Sequence, residues 1–211
     1  MSKVVIGLGT GRSGTRSLAR ILNYHENIDC THENRHYMLQ PSNHGYLGIK
    51  SVIDSLNDDI ATCNEDYLGD VCHNHIYRIS NYISEFGKDL KIICIYRNPS
   101  ETAISWLRKY KSLSACRYED KEKIIKRFGI KHYQVWADYF LKYYGLSSDE
   151  AWYEYIKWYH NEMESLADLA FHIWLPDLND DSSLEAMFKY LNLEPQLLPK
   201  DKRKNNKTNE V

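Results

Sequence analysis

Gly7-Leu8-Gly9-Thr10-Gly11-Arg12-Ser13-Gly14-Thr15-Arg16-Ser17 joins an apolar run, Val4-Val5-Ile6, to a helical face made by Leu18, Ile21 and Leu22. The run reads as a buried parallel strand that continues into Leu8. The following leucines and isoleucine recur at i, i+3 and i+4, the spacing of a helix that buries one face. A strand, a glycine-rich turn and a helix N-terminus together make an anion site, because free amides and the helix dipole point at one spot. Gly9, Gly11 and Gly14 let the backbone curl close to a phosphate. Arg12 adds a formal charge, and Thr15 and Ser17 add hydroxyls. The bland alternative is a turn that only connects strand to helix.

The loop departs from the nucleoside triphosphatase pattern G-x-x-x-x-G-K-[ST]. Gly9 and Gly14 have the right spacing, but Thr15 and Arg16 stand where Lys and Ser/Thr belong. A Mg²⁺-dependent phosphotransferase also wants an Asp at the end of a neighbouring strand. The best later strand, Leu90 to Tyr96, runs instead into Arg97-Asn98-Pro99. A cation there suits a second phosphate better than a metal, and no metal site is expected.

Strands and helices alternate outward from the loop. Ile28-Asp29-Cys30-Thr31 reads as a short second strand, residues 34 to 45 as a loop, and Ile49, Val52, Ile53 and Leu56 as a helix face. Tyr67 to Cys72 is a third strand, followed by a helix marked by Ile76, Ile79, Ile83 and Phe86. After the fourth strand, Asn98 can cap a helix, Pro99 fits its first position and Glu101 completes a capping box. Ala103, Trp106, Leu107 and Tyr110 give that helix its buried face. Residues 117 to 170 look helical and are crowded with aromatics: Tyr133, Trp136, Tyr139, Phe140, Tyr143, Trp152, Tyr155, Trp158 and Tyr159. Core packing is one reading of this stripe, and an acceptor pocket lined by Tyr and Trp is the other. Ser147 and Glu150 form a second capping box. Phe171 to Leu175 suggests a fifth strand, and Ser182 and Glu185 open a last helix with Leu184, Met187, Phe188 and Leu191 inward. This alternation predicts an α/β fold, a central parallel sheet of about five strands with helices on both faces.

Composition narrows the class. At 211 residues the length suits one domain, 1–198, followed by a basic tail, 199–211. The tail is either a solvated end or a basic lid over a phosphate. A net charge of −2 offers no footprint for nucleic acid. The five cysteines, at 30, 63, 72, 94 and 116, are odd in number and contain no C-x-x-C, which favours reduced thiols and a cytoplasmic setting. No stretch approaches the roughly 20 apolar residues of a membrane span. Residues 4 to 8 are too short for a signal-peptide core. The oligomeric state stays open.

Arg97 falls at the C-terminal end of a parallel strand, where open α/β sheets bind ligands. Ser105 lies on the same helical stripe as Asn98 and Thr102 and so faces back toward that edge. An arginine and a hydroxyl there make a compact phosphate clamp beside the glycine-rich loop.

With two anion sites and no Walker lysine, the sequence resembles the sulfotransferase family. Gly11-Arg12-Ser13-Gly14-Thr15 with Ser17 is similar to the family's 5′-phosphosulfate loop. Arg97-Asn98-Pro99 with Ala103, Ser105 and Trp106 is similar to its 3′-phosphate segment, R-x-P-x-x-x-A-x-S-[WFY]. The resemblance implies a core like that of P-loop NTPases and a donor, 3′-phosphoadenosine 5′-phosphosulfate, with phosphates at both ends of the ribose. Gly11 to Ser17, with Arg16 in place of the usual small or apolar residue, would hold the 5′ end. Arg97 and Ser105 would hold the 3′ end. Glu33 lies 21 positions after Arg12, with Arg35 two residues on. This is where tyrosylprotein sulfotransferases place their catalytic glutamate and a following arginine. Cytosolic small-molecule members use a histidine after the third strand, a region held here by His73 and His75 without the K-T-H-L-P context. Arg12, Glu33 and His75 are therefore the implied catalytic residues. His32 and His73 remain in the neighbourhood, and each histidine could instead be an ordinary loop residue. A P-loop kinase with a degenerate loop, or a non-catalytic nucleotide-binding protein, would share much of this pattern. The acceptor is a hydroxyl compound of undetermined class: a glycan, a lipid, a peptidyl tyrosine or a small alcohol.

Overall fold

The computed structural model describes residues 2–33, 49–109 and 148–203. The expected loop at 34–45 with Arg35, Tyr110, the aromatic positions 117 to 147 with the capping Ser147, and the tail beyond Arg203 lie outside the described residues. So do the side chains of Leu107 and Trp152.

Five strands, β1 (Lys3–Leu8), β2 (Ile28–His32), β3 (Tyr67–Val71), β4 (Leu90–Tyr96) and β5 (Ala170–Trp174), pair in the order β2-β3-β1-β4-β5, all parallel. The helices are α1 (Thr15–Leu22), α2 (Ile49–Thr62), α3 (Ile79–Phe86), α4 (Pro99–Lys109), α5 (Ser148–Glu164), α6 (Asp181–Tyr190) and the short α7 (Lys200–Arg203). The right-handed crossover rule accounts for their distribution. The link from β1 to β2 moves one way along the sheet, and the links from β2 to β3, β3 to β4 and β4 to β5 move the other way. Their helices must therefore cover opposite faces. Val4, Ile6 and Leu8 of β1 accordingly share a core with Leu56 of α2, Tyr82 of α3 and Tyr155, Ile156 and Tyr159 of α5. Val5, one residue out of phase, shares the other core with Leu18 and Ile21 of α1 and Leu184 and Phe188 of α6. The chain reverses direction at β1, so the C-terminal edge beside β1 is the crevice where such sheets bind ligands.

Several boundaries differ from expectation for local reasons. Cys72 is not in β3; its Sγ accepts the Asn74 N–H at 3.4 Å and caps a 3₁₀ turn, His73–Arg78, which takes the first part of the expected third helix. Asn98 caps α4 as expected, accepting the Glu101 N–H at 3.2 Å. The Glu101 carboxylate does not close the box, because it pairs with Arg97 Nε at 3.2 Å. Asp180, rather than Ser182, caps α6 through the Ser183 N–H at 2.9 Å. β5 begins and ends one residue earlier than expected. Lys200–Arg203, assigned to the tail from sequence, forms α7. Arg203 is buried there, donating to the Leu198 carbonyl at 2.6 Å and pairing with Asp181 at 2.7 Å.

Candidate active site

The glycine-rich loop leaves β1 in an unusual conformation. Gly11, Arg12 and Gly14 have φ of 65°, 59° and 104°, all left-handed. Glycine takes such values freely, but arginine there costs about 1–3 kcal/mol and persists only where its surroundings hold it. Arg97 supplies that support, donating from Nη1 to the Arg12 carbonyl at 3.2 Å. Trp106 covers the turn, and a Cβ on Gly11 would lie 2.8 Å from its Cζ2. Gly14, the residue before α1, offers no side chain to cap the helix. The first-turn amides of α1 are thus left for another partner. Ser13 Oγ is buried at the floor of the loop and has no hydrogen-bond partner among the described residues. A buried hydroxyl without a partner costs free energy, so its place in an anion loop fits a ligand oxygen.

The two expected clamps adjoin. Arg12 Nε donates to Ser105 Oγ at 3.1 Å, across 93 residues of sequence. Ser105, Arg12, Arg97 and Glu101 form one hydrogen-bonded chain along the rim. Ser105 keeps its own O–H for a further acceptor. Arg16 is exposed, and Ser17 is buried in the first turn of α1.

The end of β2 brings the carboxylate and imidazoles to the same edge. His32 Nε2 lies 3.0 Å from Thr15 Oγ1. Burial lowers the His32 pKa; Glu33 opposes the shift and the Arg16 cation adds to it. Glu33 also takes a left-handed φ of 52°, and its Oε1 stands 3.1 Å from His73 Nδ1. Glu33 and His73 are partly open to solvent, at 37% and 21% of side-chain area. His75 is placed elsewhere. Its Nε2 meets Asp70 Oδ2 at 3.1 Å, both side chains are fully buried, and its ring edge packs on Tyr82. Thr31 Oγ1 occupies the other Asp70 oxygen at 2.6 Å. This geometry gives His75 no surface toward an acceptor, in contrast to the role the resemblance implied.

Tyr159, which sequence reasoning left within the aromatic stripe, touches the glycine-rich loop. Its buried hydroxyl accepts the Gly9 N–H at 3.3 Å and donates to the His73 carbonyl at 2.9 Å. It therefore ties the anion loop to the turn that carries His73. Helical spacing cannot show this; a tyrosine's need for a polar partner when buried is the only hint. Asp70 had a clearer signal, a charge inside the otherwise apolar strand Tyr67-Leu68-Gly69-Asp70-Val71.

Residues 2–171 match the family model described as the sulfotransferase domain. A crystal structure of a sulfotransferase from Alicyclobacillus acidocaldarius superposes with a TM-score of 0.57 at 15% identity, covering 94% of this chain and 84% of that one. At that identity the likeness speaks for the fold. No curated protein is significantly similar in sequence. Among the described residues, no helix is long and apolar enough to cross a membrane.

Proposed function

The chain belongs to the sulfotransferase family, and from that premise we propose that it moves a sulfuryl group from 3′-phosphoadenosine 5′-phosphosulfate to the hydroxyl of an acceptor. The observation that carries the donor reading is the buried Ser13 hydroxyl, without a partner among the described residues, inside a loop whose rim joins Arg12, Arg97 and Ser105. The loop amides, Ser13, Thr15 and the first turn of α1 with Ser17 hold the 5′-phosphate. Arg12 neutralises charge that builds on the bridging oxygen as its bond to sulfur breaks. Arg97 and Ser105 hold the 3′-phosphate, and exposed Arg16 adds positive potential at the mouth.

Glu33 accepts the acceptor's proton as the new S–O bond forms, and His73 orients the Glu33 carboxylate through Nδ1. Sulfuryl transfer between two oxygens needs position and charge stabilisation above all. On this reading Glu33 is the base, and His75, sealed against Asp70, is not called upon. An odd number of cysteines with no C-x-x-C is the ground on which a reducing, cytoplasmic setting is proposed.

A thermal-shift series tests the donor. Adenosine 3′,5′-bisphosphate at about 100 times its Kd adds roughly 2.7 kcal/mol to the folded state. It should raise Tm more than ATP with Mg²⁺ at equal concentration. A larger shift from ATP–Mg²⁺ would overturn this reading. An acceptor screen with ³⁵S-labelled donor then identifies the acceptor class.

A further inference from the structure

Glu33, Cys72 and His73 stand together for reasons of register. β2 pairs with β3 so that His32 lies opposite Val71, which makes Glu33 and Cys72 the next residues out of the sheet on neighbouring strands. The left-handed turn at Glu33 accompanies its carboxylate's contact with His73. Cys72 is extended, with φ −148° and ψ 140°, and its buried Sγ caps the turn that carries His73. One carboxylate oxygen, one Sγ and one imidazole nitrogen from these residues lie within 4.8 Å of one another.

We propose that Glu33, Cys72 and His73 bind a thiophilic divalent cation such as Zn²⁺, and that its binding takes the Glu33 base out of service. Zinc bonds of about 2.0–2.3 Å in a tetrahedron set donor–donor edges of about 3.3–3.6 Å. The Glu33–His73 edge, at 3.1 Å, is already near that length. The two sulfur edges need to close by about 1.2 Å at most to reach tetrahedral length. Thiolate, imidazole and carboxylate together suit zinc and disfavour magnesium or calcium. One thiolate and one carboxylate balance the charge of the ion. Three protein ligands leave a fourth position for water, on the side where Glu33 and His73 are open.

Asp70, Cys72 and His75 form a second set within the same distance, but all three are buried and both Asp70 oxygens are engaged. Cys72 is buried in both sets, but only the first has members open to solvent, Glu33 and His73, and it is the one that takes the ion. On binding, the Cys72 thiol loses its proton to solvent. The His73 proton moves from Nδ1 to Nε2, and Glu33 exchanges its hydrogen bond to Nδ1 for a bond to the metal. One proton leaves per ion.

The binding half of this proposal stands on geometry alone, and the inhibitory half rests on Glu33 as the base. Zn²⁺ is titrated calorimetrically into the full chain in buffers of different ionisation enthalpy, and Co²⁺ is followed by its absorption spectrum. The expected result is one ion per chain, one proton released and a sulfur-to-cobalt charge-transfer band. Cys72→Ser keeps a hydroxyl to cap Asn74, so the turn survives. It should abolish the band and weaken Zn²⁺ beyond the roughly 10–100-fold that loss of an outer-shell partner costs. Its affinity for adenosine bisphosphate and its turnover should stay near wild type. His73→Asn, at a partly open position, gives a second loss of affinity. Unchanged Zn²⁺ affinity in both variants, or no charge-transfer band in the wild type, overturns the site. Tight, Cys72-dependent binding that leaves turnover intact overturns the inhibitory half and with it Glu33 as the base.

Discussion

Glu33 and His75 test how far a residue's role follows from its environment. Glu33 is partly open and paired with His73, whereas His75 is sealed against Asp70 and Tyr82. Glu33→Gln should lower kcat by about 10²–10⁴, the usual worth of a general base, while bisphosphate affinity stays within a few-fold. His73→Ala should lower kcat less, since the carboxylate survives. His75→Ala should act through stability, because it strips Asp70 of a buried partner. Steady-state kinetics beside denaturation curves distinguish these outcomes, and an active Glu33→Gln would remove Glu33 from the chemistry. Arg97 has two tasks, the proposed 3′-phosphate and the strained Arg12 carbonyl. Arg97→Ala should therefore weaken both the bisphosphate and adenosine 5′-phosphosulfate. The bisphosphate should lose more, by the roughly 1.5–3 kcal/mol of a charge-assisted bond. Equal losses by calorimetry would take Arg97 out of the 3′ site.

At the scale of elements, α5 links two loops that lie far apart in sequence. The Tyr159 hydroxyl serves Gly9 at the end of β1 and His73 after β3 at the same time. Tyr159→Phe keeps the ring's packing against Trp158 and Tyr155 and removes only this bridge. It removes the acceptor of the buried Gly9 amide, at a cost of about 1–3 kcal/mol in unfolding free energy. Amide exchange should quicken at Gly9, whose N–H the hydroxyl accepts. Unchanged exchange at Gly9 would show that the bridge is not formed in solution. The same logic applies to α4. Its cap, Asn98, was legible as an Asn-Pro start, but the contact of Trp106 with Gly11 was not, because it depends on how α4 lies across the loop.

At the scale of the whole molecule, two imidazoles whose pKa values burial lowers, His160 and His32, make stability depend on acid. His160 of α5 packs edge-on against Tyr96 of β4 and Trp174 of β5, and burial lowers its pKa from 6.5 to about 4. The folded state keeps His160 neutral, while the unfolded chain takes up a proton below pH 6.5. Stability is therefore complete above that pH and declines as pH falls toward about 4. His32, also lowered by burial, acts in the same direction. At pH 4.5 the His160 contribution is a loss of about 2–3 kcal/mol. His160→Phe retains an aromatic ring and cannot titrate. Denaturant unfolding at pH 7.5 and pH 4.5 should show a smaller drop for the variant than for the wild type by about that amount. Equal drops would mean that His160 is hydrated in the folded protein.

The sequence by itself determined what neighbouring residues decide. The apolar run before Gly7, the faces of α1 and α6 and the Asn98-Pro99 start are short-range signals, and each lies in the expected element within a residue or two. The five-strand α/β sheet followed from their alternation, and membership of the sulfotransferase family was legible in two motifs of adjacent residues. The tertiary structure decided which side chains meet. Ser105 reaches Arg12, His73 reaches Glu33 and Tyr159 reaches Gly9 across separations of 93, 40 and 150 residues. Those meetings depend on strand order, parallel register and the face to which each crossover sends its helix. A local pattern can therefore show that His73 and His75 follow a strand, but only the register of β2 on β3 turns one toward Glu33 and the other into the core on Asp70.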